Sequence, residues 1–155
     1  MDKNALAYME VFFAALADKT RLRLLNLMRD REICVYFFTE VLGSSQPKIS
    51  RHLAYLRNAG VVTARREGKW MYYRIIESKD EGRRRVLGDV LDWLDSREDL
   101  RRDWAKYELA CSALQMPEPI VQTPAIVASA NAYIFRPRNA DEGRPAHNEL
   151  EEFLL

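Results

Sequence analysis

The chain has 155 residues and a net charge of +1, with 24 lysines and arginines against 23 aspartates and glutamates. A composition that is 48% apolar and 30% charged suits a globular chain that can bury one core. It contains no apolar run near the ~20 residues needed to cross a bilayer, so no membrane partner is expected.

The N-terminal stretch lacks a basic leader region and is interrupted by Glu10 and Asp18, so it reads as a helix rather than a secretion signal. The two cysteines are therefore expected as free thiols in the cytoplasm. Leu6, Met9, Phe12, Phe13 and Leu16 recur at helical spacing and predict a first helix over about residues 4–17. Asp18 can cap a second helix, with Leu22, Leu25 and Met28 turned inward. After the charged turn Arg29-Asp30-Arg31-Glu32, a short third helix is predicted from Cys34 to Leu42, broken by Gly43-Ser44-Ser45.

A fourth helix starts at Gln46 or Pro47. Ser45 is placed to accept from an orphan N–H, and Pro47 wastes no donor in the first turn. Ile49, Leu53 and Leu56 form its buried stripe, and Gly60 stops it. Val61 to Arg66 and Trp70 to Ile76 are rich in β-branched and aromatic residues and read as a hairpin around Glu67-Gly68-Lys69. The stretch from Lys79 to Gln115 is free of proline and helical in pattern, with a fresh helix start at Ser96-Arg97-Glu98-Asp99. Prolines at 117, 119, 124, 137 and 145 exclude long helices further on. Residues 1–115 are thus read as the folded domain and 116–155 as an irregular C-terminal arm, with a short helix over about 148–155.

Charge is concentrated in one place. Between Ser44 and Ile75 seven basic residues meet the single acid Glu67, a net +6 within a chain of net +1. Gln46, Lys48, Ser50, Arg51 and His52 cluster off the apolar stripe on the first turns of the fourth helix, beside Ser45. A helix presents this end to base edges in a major groove. Gln and Arg read adenine and guanine edges, whereas Ser and Lys hold phosphates. Arg65, Arg66 and Lys69 on the hairpin would reach the backbone or the adjacent minor groove. The plainer alternative is a solvated charged face, and for His52 base contact and helix packing are both open. Double-stranded DNA is the partner this pattern favours.

Three blocks carry a family likeness. Leu16-Ala17-Asp18-Lys19-Thr20-Arg21-Leu22-Arg23 is similar to the opening "LADxTRLRLL" of the ArsR/SmtB repressors. Gln46 to Leu53, with Leu56-Arg57 and Gly60, resembles their recognition helix, and Gly68-Lys69-Trp70 with Tyr72-Tyr73-Arg74 resembles their wing. The likeness spans about residues 5–95. It implies a mainly α winged helix-turn-helix with a small β-hairpin wing, a homodimer, and repression by binding a palindromic operator. Phe12 and Phe13 on the first helix, with Val90, Trp93 and Leu94 after the wing, supply apolar surface for the dimer. The alternative is that these faces close the monomer core.

The sensing segment departs from the arsenic-responding pattern Glu-Leu-Cys-Val-Cys-x-x-Cys. Here it reads Glu32-Ile33-Cys34-Val35-Tyr36-Phe37-Phe38-Thr39, which keeps the first cysteine only. Trivalent arsenic favours thiolate ligands, so a three-sulfur site within this helix is excluded. The only other thiol is Cys111. Cys34 and Cys111 together would suit an organoarsenical, arsenite with an outside ligand, or oxidation to a disulfide or polysulfide bridge. Both could also be plain buried residues in an effector-independent DNA binder. No obligatory cofactor is expected. Zinc fits poorly, because the helix after the wing offers Asp89, Asp92 and Asp95 without a histidine. No phosphate-cradling glycine loop, nucleophile elbow or triad spacing points to an enzyme.

Overall fold

A computed structural model of the chain describes residues 4–114. Helix α1 (Ala5–Leu16) leads into α2 (Lys19–Leu27), and Asp18 between them accepts the Arg21 N–H at 2.9 Å as the N-cap of α2. Strand β1 (Ile33–Cys34) runs directly into α3 (Val35–Leu42), which ends on Gly43 at a φ of 61°. Helix α4 (Gln46–Asn58) follows with Pro47 in its first turn, and then the hairpin β2 (Val62–Glu67) and β3 (Trp70–Ile75). Helices α5 (Glu81–Asp95) and α6 (Glu98–Leu114) complete the described residues.

The three strands form one antiparallel sheet in the order β1-β3-β2. Thr63 faces Arg74 and Arg65 faces Tyr72 across the hairpin, while Cys34 faces Tyr72 from the other side. Gly68 takes a φ of 58° at the hairpin turn, a left-handed conformation that suits glycine.

The core is built from Phe12 and Ala15 of α1, Leu24, Leu25 and Leu27 of α2, Phe38 and Val41 of α3, and Ile49, Leu53 and Leu56 of α4. Leu87, Leu91 and Leu94 of α5 close it, and α6 packs onto α3 and α2 through Leu100 and Tyr107. Burying each such aliphatic or aromatic side chain is worth about 1.5–3 kcal/mol. The predicted stripe of α4 is therefore what seats the helix, and it leaves the opposite side outward.

Several expectations change. Cys34 does not open the third helix: it ends a two-residue strand, because its backbone pairs with Tyr72 and the helix starts one residue later. The hairpin is thereby a three-stranded sheet. Ser45 does stand at the N-cap of α4, but its side chain makes no capping hydrogen bond. Of the second helix's expected inward residues, Leu25 and Met28 are buried and Leu22 only partly. The set expected for dimerisation divides: Phe12 and Leu94 are core residues, Val90 is half-buried, and Phe13 and Trp93 are exposed. The C-terminal arm and its short helix lie outside the described residues.

Candidate nucleic-acid interface and thiol sites

Helix α4 presents Gln46, Lys48 and Arg51 exposed on its first turns, with Ser45 before them and Ser50 partly covered. Its seat is fixed from two sides. Arg21 donates from Nε to the Ala15 carbonyl at 2.6 Å and from Nη2 to the Ala14 carbonyl at 2.9 Å, sealing the end of α1. The same guanidinium lies 4.3 Å from the centre of the Tyr55 ring on α4, a cation–π contact. At the far end of α4, the buried Arg83 of α5 donates to the Ala59 carbonyl at 2.5 Å and stacks against Tyr8 and Phe12 of α1. Helix α4 is thus tied to α1, α2 and α5 by arginines as well as by its apolar stripe.

His52 is mostly covered, and its Nδ1 lies 3.5 Å from the Asp18 carboxylate. Packing against the α2 cap accounts for its position, and it does not share the open exposure of Lys48 and Arg51. Burial pushes the Asp18 carboxyl up, but the N–H groups of Arg21 and Thr20 with the charges of Arg21 and His52 outweigh it. The net result is a carboxyl below its ordinary range.

On the wing, Arg66 and Lys69 are exposed at the turn, and Arg66 Nε donates to the Gly68 carbonyl at 3.0 Å. Arg65 differs. Its guanidinium is held by Glu32 and Glu67, so the structure separates it from the two wing cations it was grouped with in sequence. Glu32 and Tyr72 were missed as site residues. The alternation of the wing puts Tyr72 across from Arg65, but the Glu32–Arg65 pair spans 33 residues and no local pattern signals it.

The thiols sit apart in chemistry. Cys34 is buried at the end of β1, and burial pushes its thiol up, partly offset by the N–H groups of Tyr36 and Met71. Cys111 is half-buried on α6 near Tyr107, whose phenol is raised first by burial and then by Cys111. Tyr107 packs its ring on Phe37 of α3 at 5.3 Å between centroids. Both cysteines are free thiols. Among the described residues no three His, Cys, Asp or Glu side chains converge as a metal site. Asp92 and Asp95 on α5 are instead drawn to Arg29, at 2.5 and 3.8 Å.

Comparison with known proteins places this geometry. The family described as "Bacterial regulatory protein, arsR family" matches residues 18–64, which run from the α2 cap into the wing. The arsenic resistance transcriptional regulator ArsR1 of Pseudomonas putida is 53% identical over 66 residues, covering 42% of this chain and 52% of that regulator. The chain thus spans about half the length of the arsenic-resistance relatives it matches. An uncharacterised HTH-type transcriptional regulator of Methanocaldococcus jannaschii, MJ1325, is 41% identical over 43% of this chain and 76% of its own length. Among solved structures, the homodimeric winged helix-turn-helix DNA-binding domain Mb0332 of Mycobacterium bovis superposes with a TM-score of 0.51 at 31% identity, covering 63% of this chain and 90% of that one. With matching motif order, a winged helix-turn-helix fold and relatives covered over most of their length, the chain belongs to the ArsR family of bacterial regulatory proteins.

Proposed function

We propose that the protein is a dimeric transcriptional repressor that binds a palindromic duplex operator through α4 and the wing. The observation that carries this reading is the exposure of the basic Lys48 and Arg51 on α4, opposite its buried apolar stripe, and of Arg66 and Lys69 on the wing. Gln46 and Arg51 read base edges, while Ser45, Lys48, Ser50, Arg66 and Lys69 hold the backbone. The homodimer forms through the apolar side chains that α1 and α5 leave exposed, Leu6, Val11, Phe13 and Trp93. Cytoplasmic location follows from this role. Among the described residues no helix is long and apolar enough to cross a membrane.

Binding to the duplex upstream of its own gene, followed across a salt series, tests the interface. The wild-type complex weakens steeply with salt, and the Gln46→Ala/Arg51→Ala variant loses affinity by roughly tenfold or more, since each good bidentate base contact is worth about 1–3 kcal/mol. An unchanged affinity in that variant sinks the assignment of α4 as the reading helix.

For the effector, the reading is release by a thiol-reactive agent at Cys34 or Cys111, foremost a trivalent arsenical. Support comes from the retained Cys34 at the sensing segment and from relatives that carry arsenic resistance in their names. Release biases the dimer away from its DNA-competent shape rather than blocking the groove. Titration of the operator complex with arsenite, phenylarsine oxide and polysulfide, in the wild type, Cys34→Ser and Cys111→Ser, separates the chemistries. Cysteine-dependent release by arsenicals is expected, and it quickens with rising pH because the buried Cys34 must first ionise. Release by polysulfide alone assigns a sulfur sensor, and no release assigns an effector-independent DNA binder.

A further inference from the structure

Arg65 stands on the wing among cations assigned to DNA, yet its guanidinium is already paired with two carboxylates. Nε lies 3.2 Å from each Glu32 carboxylate oxygen and Nη2 lies 2.8 Å from Oε2, while Nη1 is paired with Glu67. Glu32 is only 7% exposed. The guanidinium also lies over the Tyr72 ring at 4.9 Å. Tyr72 is the register partner of Arg65 on one side and of Cys34 on the other, so three neighbouring strands carry the group in a row. The Cys34 sulfur in turn lies by the Met71 N–H of the same central strand.

The Arg65 side chain keeps 41% of its surface exposed, but a phosphate that drew its guanidinium away would leave the buried Glu32 carboxylate without its cation, and stripping a buried charge of its partner is strongly unfavourable. Lys69 and Arg66 face no such obstacle, being exposed and free of carboxylate partners among the described residues. On the DNA-binding reading above, we infer that Glu32 and Arg65 form a brace through which the Cys34-bearing strand β1 positions the wing on DNA, with Arg65 acting as a positioning residue that does not touch phosphate. Glu32 belongs to the brace even though, as an acid near DNA, it would on charge alone oppose binding.

The test uses the full chain and its operator. Affinity is measured from low to high salt for wild type, Arg65→Gln, Glu32→Gln, the double variant and Arg66→Gln, with far-UV circular dichroism showing each to be folded at the working temperature. Arg66→Gln lowers the magnitude of the log–log salt slope by about 0.9, the value for one lost phosphate contact. Arg65→Gln and Glu32→Gln each weaken binding by roughly three- to tenfold with the slope held near that of wild type, and the double variant is no weaker than either single, as coupled partners require. A bare charge effect predicts the opposite sign for Glu32→Gln, which would then bind more tightly. The inference is overturned if Arg65→Gln flattens the slope as Arg66→Gln does, if the single effects add, or if Glu32→Gln leaves affinity unchanged or raises it. Failure of the DNA reading itself looks different: then Arg66→Gln and the Gln46→Ala/Arg51→Ala variant also leave binding untouched, and the brace falls with it.

Discussion

Asp18 concentrates several roles in one carboxylate. It caps α2, pairs with Arg21 at 3.8 Å and lies 3.5 Å from His52 of α4. Its pKa in the folded chain lies below the ordinary value of 3.8, so it favours folding wherever it is ionised. That contribution is fully present above about pH 4 and is lost as pH falls through the depressed folded value. Asp18→Ala is expected to lower stability by about 1 kcal/mol at pH 7, the usual cost of a lost N-cap, with the gap to wild type narrowing as pH falls below the ordinary carboxylate range. Denaturant unfolding at neutral and acid pH measures it, and a gap that stays constant with pH would assign the loss to packing alone. The cap was legible because Asp18 directly precedes an apolar-periodic run. Ser45 had the same local signature and makes no side-chain bond, since a cap needs the side chain turned back as well as the right residue type.

At the scale of elements, the reading of helices held wherever an apolar stripe was long enough to have a phase. Helix α4 needed only Ile49, Leu53 and Leu56 to place every outward residue, and the break between α5 and α6 fell near Ser96 as the acidic start suggested. Strand β1 was illegible for the opposite reason. Two residues have no period, and β1 exists because β3, far along the chain, offers Tyr72 and Tyr73 to pair with it. The apolar pairs Phe12-Phe13 and Trp93-Leu94 show a related limit. Neighbours on a helix lie about 100° apart, so the two can face different ways, and the tertiary fold buries Phe12 and Leu94 and leaves Phe13 and Trp93 exposed. Helix position also explains why Cys34 seemed a helix-start thiol: it sits at the N-cap of α3, one residue outside the helix.

For the whole molecule, the informative asymmetry is electrostatic. One segment of net +6 lies in a chain of net +1, and folding divides it into a buried stripe, a carboxylate-paired arginine and exposed cations. Which cation pairs with carboxylates and which stays exposed could not be seen in composition, because Arg65 and Arg66 are adjacent and chemically identical. Alternation along β2 sends Arg65 toward Glu32 and leaves Arg66 outside. On the proposed function, a single α4 and wing read one half-site, and a dimer built on α1 and α5 reads two, related by its own twofold axis. Selection of bound duplexes from a random-sequence pool, using the purified full chain, tests this most directly. The expected result is an enriched inverted repeat whose half-site centres lie about 10–10.5 base pairs apart or a multiple of that, and whose enrichment disappears with Gln46→Ala/Arg51→Ala. Enrichment of a single unrepeated site, or of no sequence at all, would contradict a dimeric operator-reading repressor.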